Sequence, residues 1–504
     1  MRSTAADGVV EERWGRVPRF AWAGGVPTRG NGAGSRQTSS AADGATPGGP
    51  SSFPYAACAL AVGWLACLGV LQWSVVRFRT AIVLTLTAGA VGLGLWLWRR
   101  AEIRSAPPWL VPMVLLASVA ITWTVPLFSY LGGGALTAAL TVLTVVGVAG
   151  AALLAAPTAA RARAAYGIAV VGHVVTAAVA TIGDPAPKID VWVTLQQASD
   201  ALARGENFYD LTWTDSPGIQ DAFTYLPWTA VLLAPGRWLG GDVRWALAFW
   251  SVVLFAGIWA LSRPRPGDAA STPCASAFRA AVPVTALVVA PGTLTQVDQA
   301  WTEPLLAAGI VWWAVLVRRG HAWWAVVPLA LACASKQHLA LLLPLLLLWR
   351  PFGARRAVAT GALTGVLIAP WFLASPSDFV NDTVTLLLGF HPIRFANTWY
   401  LWFLNEHGVT LPFWVTGLVV LGALAAAAWA IHRRQPELGE LLRWFAFVLL
   451  VANLVNKQAF YNQFWLSAAL VAMSLAVPVL SGRATDDPEP ATPQGDAARR
   501  ATAS

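Results

Sequence analysis

Charged side chains are scarce in this sequence. Asp, Glu, Lys and Arg make up 12% of its 504 residues, against about 25% in an ordinary soluble chain. That excludes a water-soluble globular protein of this length. Cysteine is also sparse. Cys58, Cys67, Cys274 and Cys333 form no CxxC pair and three of them sit in apolar runs, which excludes a disulfide framework and a zinc site of the usual spacing. The alternating short segments of a β-barrel are missing too. What is present is 57% hydrophobic residues and a mean hydropathy of +0.57, arranged in runs of roughly 17–25 residues, long enough to cross about 30 Å of hydrocarbon. The fold class expected is therefore all-α, a polytopic helical membrane bundle. The net charge of +9 does not indicate nucleic acid as a partner, because arginines collect on cytoplasmic loops of membrane proteins. The partner it implies is the lipid bilayer.

Composition divides the chain into a Gly/Ser/Ala/Arg-rich tail (1–52), additional N-terminal spans (53–162), a main transmembrane domain (163–481) and a second polar tail (482–504). No cleavable signal peptide is expected, since the first apolar run starts near Pro54 and reads as a span. Candidate spans are 54–76, 80–98, 109–128, 134–156 and 164–182, then 303–317, 357–373, 411–431, 441–455 and 461–480. Arg99, Arg100 and Arg104, Arg161 and Arg163, Arg318 and Arg319, Arg350, Arg355 and Arg356, and Arg433 and Arg434 all favour the cytoplasm. Both termini then lie inside, and 183–222, 374–410 and 456–460 face outward. Arg77 and Arg79 fall on the outer side as an exception. The stretch 322–349 reads as two short helices meeting at SKQH (335–338). Between residues 222 and 295, both expected outside, lie three apolar stretches (223–240, 244–261 and 279–292). One must turn back; all three stay open on sequence, with 279–292, only about 20 Å long as a helix, the first choice. The total is about 14 crossings.

The outer segment 183–222 holds Asp184, Asp190, Asp200, Glu206, Asp210, Asp215 and Asp221 against Lys188 and Arg204. Val191, Leu195, Ala198 and Leu202 share one helical face, so the segment reads as an amphipathic helix on the outer membrane surface. Pro185 and Pro187 keep the preceding chain extended and set Asp190 near the helix N-terminus, where the dipole favours a carboxylate. A plain capping role is the alternative. Lys336, Gln337 and His338 lie between two helices of about 12 residues, each covering roughly 18 Å. A lysine there needs a partner or a polar cavity; the structural alternative is an ion pair with an acid such as Glu303. Gln296, Asp298, Gln299 and Glu303 form a further polar cluster. Asn456, Lys457, Gln458, Tyr461 and Asn462 form another, beside His391, Arg394 and Asn397. Each could be an ordinary interfacial loop. Together they suit a reaction with an anionic leaving group and a hydroxyl nucleophile that must lose a proton.

An isolated carboxylate after a span, an amphipathic outer helix, GENFYD and then FTYLPWTAVLLAP resemble the membrane-embedded glycosyltransferases of the GT-C type. Within these the chain is most similar to the GT87 group, the polyprenyl-phosphate-mannose-dependent mannosyltransferases and related arabinofuranosyltransferases. SKQHLALLLPLLLLW matches that group's lysine-containing helix junction and Leu-rich run. The resemblance covers roughly 163–480. It departs where Tyr-Leu-Pro (225–227) replaces the family's Tyr-Pro-Pro and where four extra spans precede the matching region. It implies a polyprenyl-phosphate-linked sugar donor and a glycolipid or glycan acceptor, with Asp190 as general base. Lys336, Gln337, His338, Arg394 and Lys457 are implied at the donor phosphate, and Gln197, Tyr225, Gln296, Asp298 and Tyr461 at the sugar or acceptor. Fixed cations at the phosphate stabilise the charge that develops as the sugar–phosphate bond breaks. Attack opposite the phosphate inverts the anomeric centre. No cofactor and no metal are called for.

A transporter or flippase is the principal alternative, since many spans and a broken helix pair would also serve it. No internal two-fold repeat is apparent, and a fixed outer carboxylate suits catalysis better. A non-catalytic scaffold is a third reading, against which the junction lysine argues. The topology is directly testable. A reporter fused after residue 210 is expected to be active outside the cell membrane and silent in the cytoplasm; the reverse pattern overturns the threading.

Overall fold

In the computed structural model, residues 55–72, 77–99, 109–124, 129–156, 158–265, 272–389 and 391–478 are described. The expected tails 1–52 and 482–504, and Arg100 and Arg104, lie outside these residues. The described residues form helices and connecting loops, with no strand among them. In chain order the helices are α1 (Tyr55–Gln72), α2 (Thr80–Arg99), α3 (Leu110–Thr124), α4 (Gly133–Leu154), α5 (Ala159–Gly183), α6 (Asp190–Arg204), α7 (Trp228–Gly240) and α8 (Val243–Ser262). They continue as α9 (Pro273–Val288), α10 (Thr293–Asp298), α11 (Glu303–Arg318), α12 (Val326–Cys333), α13 (Leu343–Leu348) and α14 (Ala354–Ala374). The last six are α15 (Pro376–Val380), α16 (Leu386–Gly389), α17 (Trp399–His407), α18 (Phe413–Arg434), α19 (Leu438–Val455) and α20 (Tyr461–Ala476). Seven of them (α2, α4, α5, α8, α14, α18 and α19) are long and apolar enough to cross a membrane. The protein is thus an all-helical bundle of membrane-protein composition.

The core forms around α9, which is buried from Ala277 to Val288. Its neighbours α4 and α5 approach it through small residues. On α5, Ala162, Ala165, Ala169, Gly172, Thr176 and Ala180 are buried at spacings of three or four. A Cβ on Gly172 would fall 2.1 Å from Val146, and one on Gly150 of α4 would fall 2.7 Å from Thr285 of α9. Such small-residue faces let apolar helices pack closely where no hydrophobic driving force separates helix from lipid. The additional N-terminal helices are packed into the same compact unit as the rest of the described chain.

The amphipathic segment forms the expected helix, α6, with Leu195 and Ala198 fully buried. It does not lie as a free surface helix. Its Gln196, expected off the apolar face, is buried against the end of α7, donating to the Gly241 carbonyl at 3.3 Å and accepting from the Val243 amide at 3.1 Å. Arg237 of α7 pairs with Asp200 at 2.8 Å, and the Trp238 indole donates to the Ser199 carbonyl at 2.9 Å. Gly241 closes α7 with φ of +77°, a left-handed cap open to glycine at little cost.

Both ends of α7 are bonded into neighbouring elements: Leu226 and Trp228 bond the Ser335 and Ala334 carbonyls, and 241–244 contact α6 and Asp184. Helix α9, placed over 279–292 by sequence, begins earlier, at Pro273, with Ser276 bonded to the Ser262 carbonyl; it ends at Val288, before a turn at Pro291 held by Tyr461. The stretch 322–349 is broken as expected: α12 ends at Cys333, and a 3-10 turn (Gln337–Leu342) leads into α13.

One buried cation ties these parts together. Arg244, whose side chain has 0% exposure, donates to both carboxylate oxygens of Asp242 at 2.8–3.1 Å. It also donates to the Asp184 carbonyl at 2.6 Å and the Asp298 carbonyl at 3.3 Å, and lies 3.6 Å from the Asp298 carboxylate. The Trp192 indole of α6 donates to Asp242 at 3.0 Å. Replacing Arg244 with Met strands two buried carboxylates, a loss of about 3–5 kcal/mol by the usual cost of breaking a buried pair. A large fall in the thermal midpoint in detergent is expected, while Arg204→Met, which breaks an exposed pair with Glu206, leaves it unchanged.

Candidate functional site

Asp190 is the first residue of α6; the cap position is Ile189, with extended φ and ψ of −133° and 137°. A plain capping role stays open beside the catalytic one, since the carboxylate accepts from a first-turn amide of the helix, Val191, at 2.8 Å. The loop 214–220 folds back over it. Gln197 clamps this loop through both ends of its amide, donating to the Thr214 carbonyl at 2.7 Å and accepting from the Thr214 amide at 3.0 Å. Gly218 then passes so close that a Cβ would lie 2.6 Å from Asp190 Oδ2. Burial raises the pKa of Asp190 above the ordinary carboxylate value, against the opposing amides of Val191, Asp190 itself and Ile219. A carboxylate with a raised proton affinity, reached past a glycine, has the properties of a general base.

Tyr225 lies within electrostatic reach of Asp190, and the Lys336–Glu303 pair lies against Tyr225. Lys336 Nζ bonds Glu303 Oε1, and Asn462 donates to the same oxygen at 2.8 Å. The ammonium lies 5.4 Å from the centre of the Tyr225 ring. The Tyr225 hydroxyl is held protonated by burial and by the negative charges of Glu303 and Asp190, so it lies within the electrostatic reach of both. The structural partner weighed for Lys336 is thus the one it has.

Several residues expected at substrate also make structural links. Gln337 donates to the Thr224 carbonyl at 2.9 Å and the Thr383 carbonyl at 3.4 Å, joining the two outer segments. Gln197 is the loop clamp. Tyr461 gives its hydroxyl to the Pro291 carbonyl and packs on Gly292, whose φ of +88° leaves no room for a side chain. Asp298 accepts from the Tyr130 amide at 2.8 Å and Ser129 Oγ at 3.1 Å, besides facing Arg244. Gln296 is buried in the core, lining a cavity with His173, Trp301 and Trp465. His338 follows Lys336 on the 3-10 turn. Arg394 and Lys457 lie on segments 391–398 and 456–460, where Phe395 and Phe460 pack 5.6 Å apart; Lys457 donates to the Leu388 carbonyl at 2.6 Å.

Four residues outside the expected set shape the site: Arg244, Gly218, Tyr130 and Asp382. Arg244 had a signal, an arginine in the GGDVRW turn on the face where arginines are few. Gly218 sits in an SPG turn, Tyr130 in a loop read only as uncharged, and neither announces a partner. Asp382, buried on the segment after α15, accepts from the Phe223 amide at 2.7 Å and so pins that segment over the chain leading to Tyr225. The aromatic contacts Tyr209–Phe379 and Phe208–Phe223, with centroids 4.9 and 4.7 Å apart, complete this cover.

No protein-family model matches the chain, and no curated protein matches it in sequence.

Burial lifts the Asp382 pKa from 3.8 to about 6. The folded state then binds its proton more tightly than the unfolded chain, so this group lowers stability as pH rises through that window. Asp382→Asn, which keeps an acceptor for Phe223, is expected to match or exceed the wild-type melting temperature at pH 7, with a smaller advantage or none at pH 5. Asp382→Ala leaves a buried amide unpaired and loses about 1–3 kcal/mol. Thermal unfolding in detergent at the two pH values checks both.

Proposed function

We propose that the chain is a membrane glycosyltransferase of the GT-C type that moves a sugar from a polyprenyl-phosphate donor to a hydroxyl of a cell-envelope glycolipid or polysaccharide. Mannose is the favoured sugar and arabinofuranose the second. The observation that carries this reading is Asp190: a loop-covered carboxylate of raised proton affinity at the first turn of α6, within electrostatic reach of Tyr225, against which the Lys336–Glu303 pair lies. In the reaction Asp190 takes the acceptor's hydroxyl proton, and the oxygen attacks the anomeric carbon opposite the phosphate. The anomeric C–O bond breaks with its electron pair leaving on the polyprenyl phosphate, and the product has inverted configuration. Lys336 exchanges Glu303 for the donor phosphate as that charge develops, while Asn462 keeps its bond to Glu303. His338, Arg394 and Lys457 are assigned to the phosphate side with it.

The same reading orients the chain in a plasma membrane by its arginines. With α7 returning to the outer face, α8, α9 and α11 alternate without conflict. Counting α12 and the segment 337–348 as separate passes gives about 14 crossings, with both termini cytoplasmic and Asp190 outside. A lipid carrier then supplies activated sugar on a face where nucleotide sugars are not expected. Transport is the second reading, favoured by the buried ion pair at a broken helix, the arrangement many transporters use.

The test uses purified protein, polyprenyl-phosphate mannose and octyl mannoside. Asp190→Asn is expected to lower transfer by roughly 10²–10⁴-fold, the usual contribution of a general base, without loss of thermal stability. The wild-type rate should rise with pH through an acid limb lying above the ordinary carboxylate value of about 3.9. An active Asn variant ends the assignment of Asp190. A wild type that transfers no sugar but moves solute across vesicles establishes the transporter instead.

A further inference from the structure

The chain between α9 and α11 is irregular where a bundle helix would run on. After Val288 it turns at Gly292, forms the short α10, and bends again at Ala300, whose φ of +58° is uncommon for a residue with a side chain. The main chain of Gln296 ties both bends: its amide donates to the Gly292 carbonyl at 3.0 Å and its carbonyl accepts from the Trp301 amide at 3.0 Å. Its side chain lines a cavity with His173 of α5 and Trp465 of α20, in which the space open to the centre of a water molecule is about 20 Å³. Leu254, Phe255 and Leu287 supply apolar wall, and Phe255 meets the His173 ring edge-on with centroids 5.3 Å apart. His173, Gln296 and Trp465 are only 4%, 2% and 4% exposed. Among the described residues, both ring nitrogens of His173, both amide atoms of Gln296 and the Trp465 indole nitrogen have no hydrogen-bond partner.

We propose that this cavity is an internal water site, where ordered water joins His173, Gln296 and Trp465 across the break between α9 and α11. Three buried side chains left unpaired around one space demand a ligand that both donates and accepts. The Trp465 indole only donates, the Gln296 amide does both, and a neutral imidazole has one donor and one acceptor. The side chains lining the cavity carry no carboxylate, ammonium or guanidinium, so an ion there would be desolvated without a counter-charge, at heavy cost. By the same measure of space a water needs about 10–15 Å³ and two to four polar partners; the cavity supplies both, and is too small for a sugar ring. Irregular backbone inside an apolar bundle is tolerated where it lines a water-filled cavity. The segment supported in this way carries Asp298 to Arg244 and leads into Glu303 at Lys336. The site makes no use of the reaction assigned to Asp190.

X-ray radiolysis of the purified full-length protein in detergent, read by mass spectrometry, makes hydroxyl radicals at bound water and labels the side chains that touch it. Trp465 and His173 are expected to be labelled several-fold above Trp313, an indole that is 0% exposed and lies off this cavity. Labelling of both at the Trp313 level overturns the site. Gln296→Leu and His173→Phe supply a second measurement. Each removes partners from the water, so Trp465 labelling should fall and the melting temperature should drop. An unchanged or raised melting temperature in either variant also overturns the site, because apolar replacement of a polar group that faces no ligand is neutral or stabilising. Should the variants fail to fold, the wild-type ratio of Trp465 to Trp313 labelling decides alone.

Discussion

A guanidinium removed from water must find partners for a rigid fork of donors, and no single carboxylate can satisfy them all. Arg244 meets that demand by collecting Asp242 from the start of its own helix, the carbonyl of Asp184 after α5, and both the carbonyl and the carboxylate of Asp298. Trp192 joins through Asp242. Four separate chain segments are brought together by this one requirement. The direction in which α6 leaves the bundle, and so the place of Asp190, follows from it.

The junction at Lys336 obeys the same rule on a smaller scale. An ammonium between two short helices needs an opposite charge, and Glu303 at the start of α11 supplies it with Asn462 as a second partner for the acid. Around that pair the outer segments are cross-linked by groups that look like substrate contacts in the sequence. Gln337, Gln197 and Tyr461 each spend their hydrogen bonds on backbone. The reason is general: a loop folded over a helical bundle exposes carbonyls and amides that must be paired, and side-chain amides and hydroxyls are the nearest partners.

The N-terminal helices show how packing joins segments that composition describes separately. Nothing in the residues around 162 distinguishes α4 from α5 except the arginines Arg161 and Arg163 in the first turns of α5. Yet Gly172 of α5 packs on Val146 of α4 and Gly150 of α4 on Thr285 of α9, and the loop before α4 is gripped by Asp298. A stripe of small residues is visible in the sequence, but the helix it receives is not.

The helical class, the apolar runs, the amphipathic α6 and the break near residue 335 were all legible, because each depends on local composition and on periodicity along one segment. Asp190 could be singled out for the same reason, as an acid set at a helix start by the prolines before it. How α7 is held was not legible, since α7 and α9 are both short and apolar, and only the fold shows where Arg237, Gly241 and Asp242 find partners. The identity of those partners was equally hidden. Arg244 with Asp298, Asp382 with the Phe223 amide, and Gly218 over Asp190 join residues far apart in the chain. Sequence therefore determined what each segment is; only the tertiary structure decided which polar groups are consumed in holding segments together, because a buried charge or amide chooses its partner by proximity in space.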